Sequence, residues 1–204
     1  MNLPCCTTNA DRSKHGDPLN LVFVSGRYSL HKILIRRGWY ITGSVRRGSA
    51  SKGKRGSVLA KQYRYVAPGS PLYLYGRVRD AAFRKSRETA DERNHLRLWL
   101  SPIRFDGKPV WVGQISRDIG VRFTIKTITA HKIDPDVDET RAFINQDLIY
   151  AQGLAKVAYV KGVGSAPISE PRGNLTGDPY FTDGLRAVLW VSSDGCSFTI
   201  MTFT

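Results

Sequence analysis

The fold is decided by a stretch that reads RNHLRLWLSPIRF at residues 93–105, GKPVWVGQISRDIGVRFT at 107–124 and HKIDPDVDETR at 131–141. In its first part, His95, Arg97 and Trp99 alternate with three leucines, and this period of two is typical of a strand with one buried face. We therefore predict that the side chains of His95 and Arg97 lie on the same face of a sheet.

The middle part of the stretch predicts two short strands around a polar tripeptide. Apolar residues alternate from Val110 to Gln114 and again from Ile119 to Phe123, and Ser-Arg-Asp at 116–118 lies between the two runs. We therefore expect Arg117 and Asp118 to lie at a bend or a bulge.

The last part has the signals of a helix start. Asp134 is the predicted N-cap and Pro135 the first helical residue, and Asp136 adds negative charge at the positive end of the helix. Apolar residues then recur at helical spacing until Gly153, which can end the helix. We predict that His131, at the end of a strand, directly precedes an acidic helix N-terminus.

The rest of the chain predicts further strands and helices. Compact apolar runs at 19–25, 155–160 and 185–191 are typical of strands, and helix signals occur at 29–37 and 80–89. These elements favour a single α+β, or mixed α/β, domain with a central mixed sheet and two or three packed helices. The predicted boundaries are an N-terminal extension at 1–16, the domain at 17–192, and a tail or last strand at 193–204.

The tripeptide Gly-Asp-Pro occurs at Gly16 and Gly177, but the flanking residues differ and indicate no repeat.

The chain is strongly basic. Its 204 residues include 31 Lys and Arg against 17 Asp and Glu, for a formal net charge of +14, which favours anionic partners. The most basic tract, at 46–64, contains Lys52, Lys54 and Arg55 among Gly and Ser. It is interpreted either as a solvated surface loop or as an arm that binds phosphate groups.

The cysteine count and the lengths of the apolar runs exclude disulfide-rich and membrane-spanning classes of protein. Cys5, Cys6 and Cys196 form no disulfide framework, and at the adjacent pair unpaired thiols are favoured over a reactive or lipid-modified site. No run of about 18 apolar residues and no secretory signal is visible, so we expect a soluble chain.

Five separated blocks resemble the LssY C-terminal domain family: GDPLNLVFV from Gly16, LYLYGRVRDAAF from Leu72, RNHLRLWL from Arg93, VWVGQISRDIGV from Val110 and HKIDPDVDETR from His131. The resemblance covers about Asp17 to about Val191. It implies a bacterial, membrane-associated setting at the cell envelope, because this domain occurs joined to membrane proteins of the DedA and lipid-phosphatase types; a stand-alone copy would be cytoplasmic. The phosphatase motifs belong to the fused neighbours, so that activity is not carried over.

The residues themselves suggest a phosphoester or metal site. The hypothesis gives catalytic roles to His95, Asp118 and His131, and a divalent metal would be held by the same three residues with Asp134 and Asp136. The predicted phosphate-binding residues are Arg77, Arg97, Arg117, Arg141, Lys52, Lys54 and Arg55. The acids and histidines also have structural alternatives: helix capping for Asp134 and Asp138, an ion pair with a neighbouring arginine for Asp118, and a packed core or strand position for His95 and His131.

Three functions follow from these hypotheses. The first is binding, and in addition hydrolysis or transfer, of a phosphate-bearing or other anionic ligand. The second is a non-catalytic basic module for acidic lipid or nucleic acid, with nucleic acid ranked lower because no RRM or zinc-finger pattern is present. The third is a structural partner of a membrane protein. The sequence has no HExxH, GxSxG, Walker or GxGxxG motif that would choose another chemistry.

Overall fold

The computed structural model describes residues 3–42, 71–86, 92–124, 127–192, 194 and 199–200, with side chains outside the description at 121–131 and 199–200. The elements, in chain order, are β1 (Cys6–Thr8), β2 (His15–Pro18), β3 (Leu21–Val24), α1 (Arg27–Arg36), β4 (Tyr40–Ile41), β5 (Tyr73–Leu74), β6 (Arg77–Val78), β7 (Ala81–Ser86), β8 (Arg93–Phe105), β9 (Lys108–Thr124), β10 (Thr127–Ile133), α2 (Val137–Tyr150), β11 (Leu154–Lys161), β12 (Arg172–Gly173), β13 (Pro179–Tyr180), β14 (Leu185–Val191) and β15 (Thr199–Ile200).

The central sheet is mixed, as predicted. Within the described residues its strand order is β15-β11-β14-β3-β9-β8-β7-β4, and β10 pairs with β9. β14 is parallel to β3, and β11 is parallel to β15, while the other pairs are antiparallel. A small sheet of order β2-β1-β5-β6 and a hairpin of β12 and β13 complete the strands. The chain is therefore a strand-dominated single domain compatible with the α+β class.

A long hairpin of β8 and β9 is the centre of the sheet. Its two-residue turn is Asp106-Gly107, with φ angles of 49° and 71°, the backbone that an Asp-Gly hairpin turn adopts. The ladder runs from Phe105 opposite Lys108 to Arg93 opposite Asp118, with one irregularity near Leu100. The prediction of two short strands is wrong, because β8 is long enough to pair with the polar tripeptide at 116–118 and keep it extended. The register between β9 and β10 does have an irregularity at Asp118–Gly120, beside the predicted bend or bulge.

The two helices of the described residues pack on one face of the central sheet. Leu30, Ile33 and Leu34 of α1 and Ile144 and Leu148 of α2 are fully buried there, as the helical spacing predicted. From the sheet, the same core takes leucines of β8 and their neighbours: Leu21, Phe23, Phe83, Leu96, Leu98, Trp111 and Ile115. Leu96 and Leu98 therefore face the helices, whereas the third leucine of the alternation, Leu100, is 39% exposed.

The helix starts differ from the predictions. The N-cap of α2 is Asp136, whose side chain accepts from the N–H groups of Asp138 and Glu139, while Asp134 accepts from the N–H of Asp136. Asp136 thus has the capping role that was predicted for Asp134, because Asp134 instead closes the turn before the helix. Helix α1 begins at Arg27 after Gly26, without a side-chain cap, two residues before the predicted start at 29.

The predicted helix at 80–89 is also wrong in its described part. Residues Ala81–Ser86 form β7, which pairs antiparallel with β8 from Leu98 to Arg93. Asp80 and two alanines favour a helix locally, but pairing with an edge of the long hairpin overrides that preference.

One buried carboxylate joins the helices to the sheet. Asp147 of α2, whose side chain is 4% exposed, accepts from the ammonium of Lys85 on β7, from Arg37 after α1 and from the indole N–H of Trp39. Because three elements converge on this group, it fixes how both helices lie on the sheet.

The small sheet covers part of the other face. Leu72 and Leu74, together with Leu19, pack against Trp99 of β8 and Val112 of β9 in a second buried cluster. A third apolar cluster, which includes Val22, Val24 and Val110, lies elsewhere on this face. The part of the face nearer Arg93 is polar.

Candidate functional site

The polar part of this face belongs to β7, β8 and β9. Directly opposite residues in antiparallel strands share a face, and the ladders place His95 between Arg84 and Ser116 and Arg97 opposite Gln114. Seven residues make up what we call the arginine face: Arg84, Arg93, His95, Arg97, Gln114, Ser116 and Asp118. The prediction that His95 and Arg97 share a face agrees with this register.

A histidine–aspartate pair lies on the arginine face. Nε2 of His95 and Oδ2 of Asp118 are 2.6 Å apart, and the two side chains are 25% and 7% exposed. Asp118 lies diagonally across from His95 on β9, so the length of the hairpin ladder brings them together. Two of the three predicted catalytic residues are therefore in direct contact.

The surroundings keep the His95 imidazole neutral at pH 7. Burial lowers its pKa below 6.5, the contact with Asp118 acts in the opposite direction, and the charges of Arg97 and Arg84 lower it further. In a neutral ring beside a carboxylate, Nε2 carries the proton and donates to Asp118, so Nδ1 holds the lone pair. In this tautomer Nδ1 is the ring nitrogen that can accept a proton.

Positive charge is concentrated around this pair. Burial and the charge of Arg97 lower the pKa of Arg79, and burial and the charge of Arg93 lower the pKa of Arg84. Among the described residues, Arg79, Arg93 and Arg97 have no carboxylate within 4.0 Å, and Arg97 donates to Oε1 of Gln114 at 2.6 Å. Partly buried guanidinium groups of this kind are favourable surroundings for an anion.

A buried carboxyl group from the small sheet borders the site. Burial raises the pKa of Asp17, Arg97 opposes this change, and Asp178 and Asp118 raise the pKa further. Asp17 also accepts from the side-chain amide of Asn174 at 2.9 Å. Neither Asp17 nor Asp178 was predicted as a site residue, although the tripeptide Gly-Asp-Pro recurs at both positions and could have drawn attention to them.

The other predicted phosphate-binding arginines are paired with carboxylates of the chain. Arg77 contacts Asp80 at 2.6 Å. Arg117 is next to Asp118 on β9, so its side chain lies on the opposite face of the sheet. There it contacts Asp134 and Glu139 at the start of α2. Arg141 contacts Asp183 at 2.7 Å and Asp138 at 3.2 Å. Each of these guanidinium groups therefore has an internal ion-pair partner already, whereas no described carboxylate lies within 4.0 Å of Arg97.

Four predicted residues cannot be placed in the site. His131 lies on β10 opposite Val121, but its side chain is outside the described part of the chain. Lys52, Lys54 and Arg55 also lie outside the described residues. Their roles stay predictions.

The predicted metal ligands do not converge among the described side chains. Asp134 and Asp136 serve the turn and the N-cap of α2. Within the described part of the chain, the one group of three ligand side chains with atoms inside 4.8 Å of one another is Cys5, Cys6 and His15. Cys5 and Cys6 are joined by a disulfide, where unpaired thiols were the favoured expectation.

The fold and the site define a class: a strand-dominated mixed-sheet domain with a histidine–aspartate pair on an arginine-bearing sheet face. Residues 1–185 match the family described as LssY C-terminus, so the chain belongs to this family and the resemblance of the five blocks is confirmed. No curated protein and no solved structure matched the chain. Among the described residues, neither helix has the length and apolar character needed to span a bilayer.

Proposed function

We propose that the protein binds a phosphate-bearing or other anionic ligand on the arginine face and that His95 acts there as a general base in hydrolysis or transfer. One observation carries this proposal. The His95–Asp118 pair lies beside Arg93 and Arg97, and neither arginine has a carboxylate partner among the described residues.

The chemistry divides among the residues by charge and proton state. Arg97 presents a planar guanidinium that can donate two parallel hydrogen bonds to phosphate oxygens and stabilise charge that develops on them. Asp118 fixes the orientation of the His95 ring, and the neutral ring can accept a proton from water or a hydroxyl group. Binding therefore depends on Arg97, and turnover depends on His95.

The ligand that we favour is the phosphate of an acidic lipid head-group at the bacterial cell envelope. The formal net charge of +14 attracts the chain to an anionic membrane surface, and the family supports a membrane-linked setting. The proposal does not require a metal ion, because no group of three described metal-ligating side chains includes His95.

The binding part is tested by vesicle partition of the full chain. The probe is phosphatidylcholine vesicles with and without phosphatidic acid, at fixed ionic strength. We expect Arg97→Gln to weaken binding to the phosphatidic acid vesicles by about tenfold, since a hydrogen bond to a charged group contributes about 1.5–3 kcal/mol. The matched control is Arg104→Gln, which removes the same charge from an exposed site that donates only to the hairpin turn at Gly107. Equal losses in the two variants would contradict a specific arginine site.

The catalytic part is tested with His95→Gln and p-nitrophenyl phosphate. We expect this variant to keep vesicle binding within about twofold and to lose hydrolysis by at least about 100-fold, the usual contribution of a general base. A wild-type chain that binds vesicles without turnover would restrict the function to binding.

A second function, a charge-driven basic module, is favoured by the net charge and by the tract at 46–64. A combined Lys52→Gln, Lys54→Gln and Arg55→Gln variant distinguishes the two functions. A module of this kind would lose vesicle binding in the triple variant, keep it in Arg97→Gln, and lose affinity steeply as salt rises.

A further inference from the structure

A cleft separate from the arginine face lies beside the N-terminal segment. It has a volume of about 510 Å³, and its lining includes Cys5, Cys6, His15, Arg172 and Tyr180. Cys6 and His15 belong to the β1–β2 ladder, Cys5 directly precedes β1, and Arg172 and Tyr180 lie opposite each other in the β12–β13 hairpin. The proposed function uses none of these five residues.

The ladder explains how the three ligand residues meet. His15 of β2 lies opposite Thr8, two residues along β1 from Cys6, and the ladder has an irregularity between Cys6 and Thr8. The two sulfur atoms and one imidazole nitrogen all lie within 4.8 Å of one another. His15 is exposed, so its ring is accessible from the solvent side of the cleft.

The disulfide between Cys5 and Cys6 contributes little to the stability of the fold. A disulfide stabilises a fold mainly by restricting the unfolded chain, and the effect grows with the length of the loop that it closes. Cys5 and Cys6 are adjacent, with a sequence separation of 1, so the bond closes almost no loop. The adjacent sulfurs and the neighbouring imidazole therefore point to chemistry of the reduced pair.

We propose that Cys5, Cys6 and His15 form a redox-controlled site for a thiophilic metal ion, Zn²⁺ or Cu⁺. Two thiolates and an imidazole are the ligands that these soft or borderline ions prefer, and three protein ligands leave an open coordination position toward the cleft. In the oxidised chain the two sulfurs are bonded to each other, and the site is closed.

The opening step is a two-electron thiol–disulfide exchange. A dithiol reductant attacks one sulfur, the bond between Cys5 and Cys6 breaks, and two electrons and two protons pass to the two sulfurs while the reductant becomes a disulfide. Metal binding then displaces the two thiol protons, because the thiolate is the ligand.

The site is tested by metal titration of the full chain before and after reduction with a phosphine that is then removed. Zn²⁺ alone and Cu⁺ alone are titrated against a chromophoric competitor. We expect one equivalent of at least one of these ions in the reduced chain and none at the site in the oxidised chain. His15→Ala should lower the affinity by at least about tenfold, since even a change outside the ligand shell has an effect of that size.

The controls separate this site from other thiols and from misfolding. Cys196→Ser should keep full metal binding, and the combined Cys5→Ser and Cys6→Ser variant should lose it. Because Cys6 is buried and its variant can perturb folding, the exposed His15→Ala variant is an independent test, with circular dichroism to confirm its fold. Absence of binding of both ions, equal binding by oxidised and reduced chains, or unchanged binding in His15→Ala would overturn the proposal.

Discussion

At the residue scale, opposing effects act on the pKa of His95. Burial and the guanidinium groups of Arg97 and Arg84 favour the neutral ring, while the carboxylate of Asp118 favours the charged ring. Burial is the largest of these effects, so the pKa of His95 falls below 6.5. The neutral ring therefore contributes stability above pH 6.5, and this contribution is lost as the pH falls through the lowered pKa.

These influences predict opposite shifts in two variants. Asp118→Asn removes the carboxylate and should lower the pKa of His95 further, whereas Arg97→Gln removes a nearby positive charge and should raise it. Titration of the imidazole carbon and nitrogen resonances by NMR measures both shifts, and Arg104→Gln should leave the titration unchanged. A higher pKa in Asp118→Asn would show that the contact at 2.6 Å does not control the ring.

Only part of this site was predictable from single residues. The shared face of His95 and Arg97 follows from the period of two within β8. The contact with Asp118 depends on the register between β8 and β9, and that register is set by the turn at Asp106-Gly107 together with the irregularity between Leu100 and Arg104. Sequence analysis found the alternation but divided β9 into two strands, so the pair could be proposed as neighbours without a reason for their contact.

At the element scale, Asp147 joins α2 to two other parts of the molecule. Its carboxylate is buried, while its partners Arg37 and Lys85 are 34% and 19% exposed. The two cations therefore keep part of their hydration in the folded protein. The carboxylate of Asp147 and the indole N–H of Trp39 are buried, so their hydrogen bonds come from this contact.

We expect Asp147→Ala to lower the free energy of unfolding by about 2–3 kcal/mol. The value lies below the 3–5 kcal/mol typical of a fully buried broken pair because the cationic partners reach solvent. Urea denaturation measures it, and Glu170→Ala, which removes an exposed acid from the loop before β12, should change the stability by less than about 0.5 kcal/mol. A similar loss in both variants would mean that the contact around Asp147 does not stabilise the fold.

The elements differ in how well local patterns indicated them. Helical spacing identified the buried faces of α1 and α2, and compact apolar runs identified β3, β11 and β14. The segment at 81–86 was assigned as a helix because Ala and an N-terminal Asp favour one, but its partner strand lies farther along the chain and determines the outcome.

At the scale of the whole molecule, the small sheet and the central sheet share one buried cluster. Leu74 of β5 packs in the cluster that also contains Trp99 and Val112 of the central hairpin. The two sheets should therefore unfold together.

We expect Leu74→Ala to destabilise the protein by about 2–3 kcal/mol while unfolding remains a single transition. Tryptophan fluorescence and far-ultraviolet circular dichroism, followed through the same urea series, measure the midpoint and the coincidence of the transitions. Val78→Ala, at a position that is 49% exposed, is the control and should change little. Separate transitions for the two probes would show that the small sheet folds as an independent unit.

The class of the whole molecule was predictable, but the strand order was not. Strands and helices of the predicted kinds favoured a mixed sheet, and five sequence blocks indicated the family that the comparison confirmed. The neighbours of β3 are β9 and β14, which lie far apart in the sequence, and local patterns contain no information on such pairings.

The β8–β9 ladder carries the leucines of the interior and the guanidinium groups of the opposite face on alternate residues of the same strand. A single residue inserted between Arg93 and Trp99 would turn leucines to water and arginines toward the helices. Insertions of one residue are thus tolerable only outside the ladder, for example at the turn. A change of one residue in the length of this strand would therefore disrupt the interior and the arginine face together.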